Sequence, residues 1–197
     1  MENNRLHQQI QFLLEIDRLK NIIRRNYLTG GVERRENSAE HSWHLTLMAM
    51  LMAEYAEMPL NLLNVMKMLT VHDLVEIDAG DTYCYDENAA LDKEKRERDA
   101  ADRIFGILPE DQGEELRNLW EEFEAQRTRE AKFARALDCL MPMLHNYHTE
   151  GKSWKEHGIV SKQVLRRVSG LQNVSDTLWQ FACSVIENAV KQGYLSE

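Results

Sequence analysis

The stretch "MLTVHDLVEIDAGD", residues 68–81, sets apolar side chains at Met68, Leu69, Val71, Leu74 and Val75 among polar ones at His72, Asp73, Glu76, Asp78 and Asp81. Apolar positions three and four apart share one face of a helix, so the pattern predicts a helical segment packed against a core. Ionisable groups beside such a face are costly to bury unless they are paired or bind a cation. On a helix His72 and Asp73 approach one point from adjacent directions, and Glu76 lies one turn further on. Imidazole with carboxylate suits Mn, Fe, Co, Ni or Zn, and such an ion draws its remaining ligands from other segments.

Two other segments offer those ligands. His41, in "ENSAEHSWH" (36–44), stands in the first turns of a helix that otherwise turns Leu45, Met48, Leu51 and Met52 to the core. Asp138, in "FARALDCLMPML" (133–144), interrupts an apolar helix, where a lone carboxylate needs a partner. One shared divalent ion accounts for His41, His72, Asp73 and Asp138 together.

Beyond these segments apolar residues recur at three and four almost throughout, with only three prolines and nine glycines, which predicts an all-α fold. A first helix is expected from Leu6 to Ile23, ending before the turn at Thr29-Gly30-Gly31. A second begins at Asn37, where Asn37 and Glu40 form a capping box, and runs to Tyr55. The third starts near Pro59 or Asn61, carries the opening stretch and stops at Gly80 as its C-cap. Outer helices follow over 86–105 and 110–126, then an apolar helix from Arg129 to Tyr147 with a kink at Pro142, and a last one from Ser175 to Lys191. Trp120, Trp154 and Trp179 read as packing residues, the methionines from Met48 to Met68 as adaptable core, and 92–99 as a solvated charged face. With 197 residues, 43% hydrophobic, and no repeat or linker, residues 1–197 are expected to form one domain.

The formal charge of −9 repels polyanions, which argues against polymeric nucleic acid as a partner. A small phosphorylated metabolite stays compatible, because one metal ion and one or two arginines reverse the field locally. Cys84, Cys139 and Cys183 form no C-x-x-C pair and read as reduced thiols. No apolar run reaches the length of a membrane span, and the start, MENNRLHQQI, lacks the basic and apolar regions of a signal peptide. The expected location is the cytoplasm.

The ordered words "RLKNIIRR" (18–25), "ENSAEHSW" (36–43), "VHDLVEIDAGD" (71–81) and "AKFARALD" (131–138) give the order H…HD…D over about residues 12–150. In this the chain resembles the HD-domain metal-dependent phosphohydrolases, and within them the bacterial 5′-deoxynucleotidase branch. The resemblance implies a helical bundle with one divalent ion held between core helices by His41, His72, Asp73 and Asp138. It implies that Glu76 and Asp81 stand beside the water and phosphate, and that Arg24 binds substrate. The next position is a departure: those enzymes resemble one another in carrying a Trp that excludes a ribose 2′-hydroxyl, and here it is Arg25.

The implied reaction is hydrolysis of a phosphomonoester, a nucleoside or deoxynucleoside 5′-monophosphate above all, with Glu76 or Asp81 serving the poor alkoxide leaving group. Two alternatives are an HD-type hydrolase of a pyrophosphate or cyclic nucleotide, and a non-catalytic ligand-sensing module. No second group of metal ligands is evident in the sequence, which weighs against diesters. The apolar first and last helices, with the family's relatives, fit a homodimer. His44, three residues after His41, reads as a residue supporting the ligands, a substrate-facing one or a plain surface histidine. His145 and His148, two and about three turns beyond Asp138, read as cleft lining or solvent-exposed, too far along the helix to share its ion.

Overall fold

In the computed structural model, which describes residues 2–31, 33–85 and 92–197, the centre is made by helices α2 (Ser38–Met52), α3 (Leu62–Val71) and α7 (Arg129–His148), each packed on the other two. The capping box forms as expected: Asn37 Oδ1 accepts from the Glu40 backbone N–H at 2.9 Å, and Glu40 Oε2 accepts from that of Asn37 at 3.2 Å. Helix α2 then buries Leu45, Met48 and Ala49 and leaves Trp43, Leu47, Met50 and Leu51 exposed, so it is apolar on both sides. Helix α7 starts at Thr128, whose hydroxyl accepts from Ala131 N, and sinks Phe133, Leu137 and Leu140 into the core. Pro142 lies inside it, and the Pro142 carbonyl accepts a hydrogen bond from Asn146 Nδ2.

Helices α5 (Lys93–Phe105) and α6 (Glu110–Ala125) cover α3 and the short α4 (Glu76–Ala79), as their one-sided apolar patterns require. The expected start of the first outer helix at Asp86 lies outside the described residues. Helix α10 (Asp176–Lys191), capped by the Ser175 hydroxyl, closes the other side against α7 and α9 (Ser161–Val168). Among the described residues no helix is long and apolar enough to cross a membrane.

The first helix is shorter than its sequence pattern. Helix α1 (Glu2–Ile16) gives way to a 3-10 turn at Asp17–Asn21, and the chain then extends into β1 (Ile23–Tyr27), paired antiparallel with β2 (Arg35–Asn37). Ile22 and Ile23 are β-branched and precede a Gly-Gly turn, a hairpin signal that outweighs their fit to a helical stripe. The fold is therefore mostly helical with one small sheet. Alternation along β1 turns Arg24 and Asn26 inward and Ile23 and Arg25 outward.

The stretch 68–81 is not one continuous helix. Helix α3 ends at Val71, with His72 as its C-cap, and residues 72–75 wind more tightly, through bonds such as Leu74 N to Val71 O and Glu76 N to Asp73 O. Winding at i to i+3 brings residues three apart into line, so Asp73 and Glu76 stand over one another. Gly80 ends α4 as expected, at φ 76°, where any residue with a Cβ is strained. The segment after α7 received no element from the sequence. It forms α8 (Lys152–His157), α9 and a 3-10 turn at Ser169–Asn173.

Candidate metal centre

His41 enters from the first turns of α2, His72 and Asp73 from the tight turn after α3, and Asp138 from the middle of α7. One donor atom from each of His41, His72 and Asp73 lies within 4.8 Å of the others. Asp138 Oδ1 is 3.0 Å from His41 Nε2 and 3.9 Å from His72 Nε2. All four are buried. The structure thus brings together the four residues expected from sequence.

The donor set fits a divalent ion, and the clearest sign is His72. Its Nδ1 donates to the Leu69 carbonyl at 2.9 Å, which leaves Nε2 as the acceptor. That Nε2 is buried, has no hydrogen-bond partner, and lies 3.1 Å from Asp73 Oδ1. A buried lone pair facing carboxylates wants a cation. His41 sets Nε2 3.0 Å from Asp138 Oδ1, while its buried Nδ1 lies 3.2 Å from Glu36 Oε2 without an aligned hydrogen bond. Fixing one imidazole nitrogen so that the other faces the metal is what outer carboxylates and carbonyls do around metal sites.

Arg24 on β1 answers the negative charge. Its guanidinium donates to Asp73 Oδ2 at 2.6 Å and lies 3.9 Å from Glu76 Oε1, 3.9 Å from Asp81 Oδ1 and 3.8 Å from Asp138 Oδ1. Burial works against its charge, but Asp73, Glu76, Asp138 and Asp81 outweigh it and raise its pKa. Burial and Arg24 likewise oppose protonation of His41, yet Asp138 and Glu36 push it up to about 9. His72 is held down chiefly by burial, and so favours the neutral form that ligates metals.

The acids differ among themselves. Burial would raise Asp138, but His41, Arg135 and Arg167 hold it well below the usual carboxylate range. Glu76 accepts from the buried Ser38 hydroxyl at 2.6 Å, and burial with the neighbouring Asp73 pushes it well above that range. Asp81, raised by its own burial and by Asp73, flanks it.

These groups face a cavity of about 240 Å³ that Arg24, Arg25, Asp81, Tyr83, Tyr85 and Arg167 help to line. Arg25 is exposed at its rim, while Arg135 and Arg167 reach Asp138 Oδ2 at 3.1 and 3.5 Å. Asp78 points away and pairs with Arg103, as its position off the Asp73 face implies. His148 is exposed, but His145 is buried, with Nδ1 3.8 Å from Glu36 Oε2.

Four contributors escaped the sequence reading. Glu36 and Ser38 sit inside the quoted "ENSAEHSW", but their approach runs across a strand and a cap with no fixed spacing. Arg167 lies in the unassigned segment. Arg135, three residues before Asp138 on one helix, did carry a readable i, i+3 signal.

The description "HD domain" is that of the family model that matches residues 16–179. The 5′-deoxynucleotidase HDDC2 of Danio rerio is 31% identical over 150 residues, covering 75% of this chain and 74% of that protein. The 5′-deoxynucleotidase HDDC2 of Homo sapiens is 35% identical over 129 residues, 66% of this chain and 62% of that protein. The crystal structure of a predicted metal-dependent phosphohydrolase from Magnetospirillum magnetotacticum MS-1 is 48% identical and superposes with a TM-score of 0.92, covering 100% of this chain and 98% of that one. A protein from Pyrococcus horikoshii OT3 shares the fold at 22% identity and a TM-score of 0.66.

Proposed function

The chain belongs to the HD domain family, and from that premise we propose that it is a divalent-metal phosphohydrolase that removes the phosphate from nucleoside 5′-monophosphates, deoxynucleotides among them. His41, His72, Asp73 and Asp138 hold one divalent ion. The observation that carries this reading is the buried, unpartnered Nε2 of His72 turned toward acidic oxygens. When bound, the ion acts as a Lewis acid on the phosphoryl group and makes water more acidic.

The chain's own residues do the rest. Arg24 and the cavity-lining Arg135 and Arg167 meet charge that builds on the phosphoryl oxygens. The departing alkoxide needs a proton, and Glu76, buried and raised toward its neutral form, delivers it while the Ser38 hydroxyl steadies its other oxygen. Asp81 supports Glu76 in the neutral state by adding a like charge nearby. Tyr83 and Tyr85 line the same cavity and offer faces for a base to stack on. Arg25, at the rim, governs the choice of sugar.

The exposed apolar residues Leu13, Leu14, Trp43 and Leu51 support a homodimer through α1 and α2, and the free cysteines support a cytoplasmic protein. The whole chain is read as one functional unit.

The test is a phosphate-release assay with Mn and Co on ribo- and deoxynucleoside 5′-monophosphates, cyclic nucleotides and (p)ppGpp, repeated on Arg25→Trp. Release from 5′-monophosphates alone is expected, with ribonucleotides losing ground in Arg25→Trp. Cleavage of only the cyclic or pyrophosphate substrates overturns the reading.

A further inference from the structure

We propose that Glu36, His44 and His145 form a second divalent-cation site, distinct from the centre around His72 and Asp73. None of the three lines the cavity beside Asp73 and Glu76, so the inference does not depend on which phosphate ester the protein cleaves.

The two core helices that meet at the first site meet again one level along. His44 follows His41 by three residues on α2, and His145 follows Asp138 by seven on α7, and both intervals return to the same helix face. Glu36, on β2, reaches between the two levels. Donor atoms of Glu36, His44 and His145 all lie within 4.8 Å of one another, and the rings of His44 and His145 have their centroids 5.7 Å apart.

A second observation points to a ligand. Glu36 is 1% exposed and His145 is 5% exposed, and Glu36 Oε2 and His145 Nδ1 are both buried atoms with no hydrogen-bond partner. They face each other at 3.8 Å, too far for a hydrogen bond. Around a tetrahedral ion with bonds near 2.1 Å, neighbouring donors stand roughly 3.4 Å apart. The cluster therefore needs a closure of a few tenths of an ångström at that pair. Two imidazoles and one carboxylate suit Zn, Co or Ni and leave a fourth position free. His44 is half-buried and gives the site its opening to solvent.

Glu36 Oε2 is also 3.2 Å from His41 Nδ1 and 3.8 Å from Arg24 Nε. One carboxylate therefore joins the two sites. A cation at the second draws electron density from the oxygen that orients His41, so the sites are coupled through Glu36.

The probe is Co(II) alone, in equilibrium dialysis of the full chain with metal analysis and circular dichroism as the folding control. Wild type is expected to hold two cobalt ions, His145→Ala one, and His72→Ala one. His44→Ala, at a partly exposed position, carries the same expectation as His145→Ala should that buried substitution unfold the chain. One cobalt in wild type, kept by His44→Ala and lost by His72→Ala, overturns the second site and leaves the first standing. Two cobalt ions in wild type that both survive in His44→Ala and His145→Ala also overturn it, since the second ion then lies elsewhere.

Discussion

Asp138 on α7 and Glu76 at the start of α4 are two buried acids on one cavity, and their surroundings drive them in opposite directions. Asp138 touches an imidazole and two guanidinium groups, and is kept ionised. Glu76 touches a hydroxyl and has Asp73 and Asp81 beside it, with Arg24 no nearer than 3.9 Å, and is driven toward its neutral form. Burial is common to both, so the number of cations in contact decides the charge. In the proposed reading the α7 wall supplies an anion for a metal, and the turn after α3 supplies an acid driven toward its neutral form.

Substitutions test that contrast in descending order of effect. Asp138→Ala removes a proposed ligand and leaves Arg135 and Arg167 without their acceptor; metal content and phosphate release are both expected to fall to background. Glu76→Gln keeps the shape and the Ser38 contact but cannot give up a proton. Its rate should drop by about 10²- to 10⁴-fold, the usual weight of a positioned acid or base, with metal content unchanged. Glu36→Gln weakens the grip on His41 Nδ1, and titration calorimetry should read a loss of roughly 10- to 100-fold in metal affinity.

Arg167→Ala should lower kcat by about tenfold with KM nearly constant, the size of one lost charged hydrogen bond to the developing charge, on the order of 1.5 kcal/mol. Gly80→Ala is the mildest. Nothing lies within 4 Å of an added Cβ, so only backbone strain at φ 76° and ψ 153° is felt, and denaturant unfolding should show a loss of about 1–3 kcal/mol.

The α7 wall and the 72–81 turn were unequally legible in the sequence. Asp138 stood out because a charge in an apolar helix breaks a strict period, and the helix itself follows from Phe133, Leu137 and Leu140. The turn was read as continuous helix, since a change from i+4 to i+3 bonding at His72 leaves the apolar pattern intact. The shared face of Asp73 and Glu76, one turn apart, is legible there, but the tightening that brings them into line is not. Arg24 was assigned a role on resemblance while its strand was missed, because Ile22 and Ile23 serve a helical stripe and a hairpin equally well. Glu36, His44 and His145 converge from three elements, and no local spacing announces a meeting of that kind.

The most direct test of the division between the two acids is to measure bound metal and phosphate release side by side in Asp138→Asn and Glu76→Gln, with His72→Ala as the reference for a lost ion. Asp138→Asn should lose the same ion as His72→Ala, while Glu76→Gln should keep it and lose at least about a hundredfold in rate. Loss of that ion in Glu76→Gln, or an undiminished rate, would contradict the assignment of Glu76 as the proton donor.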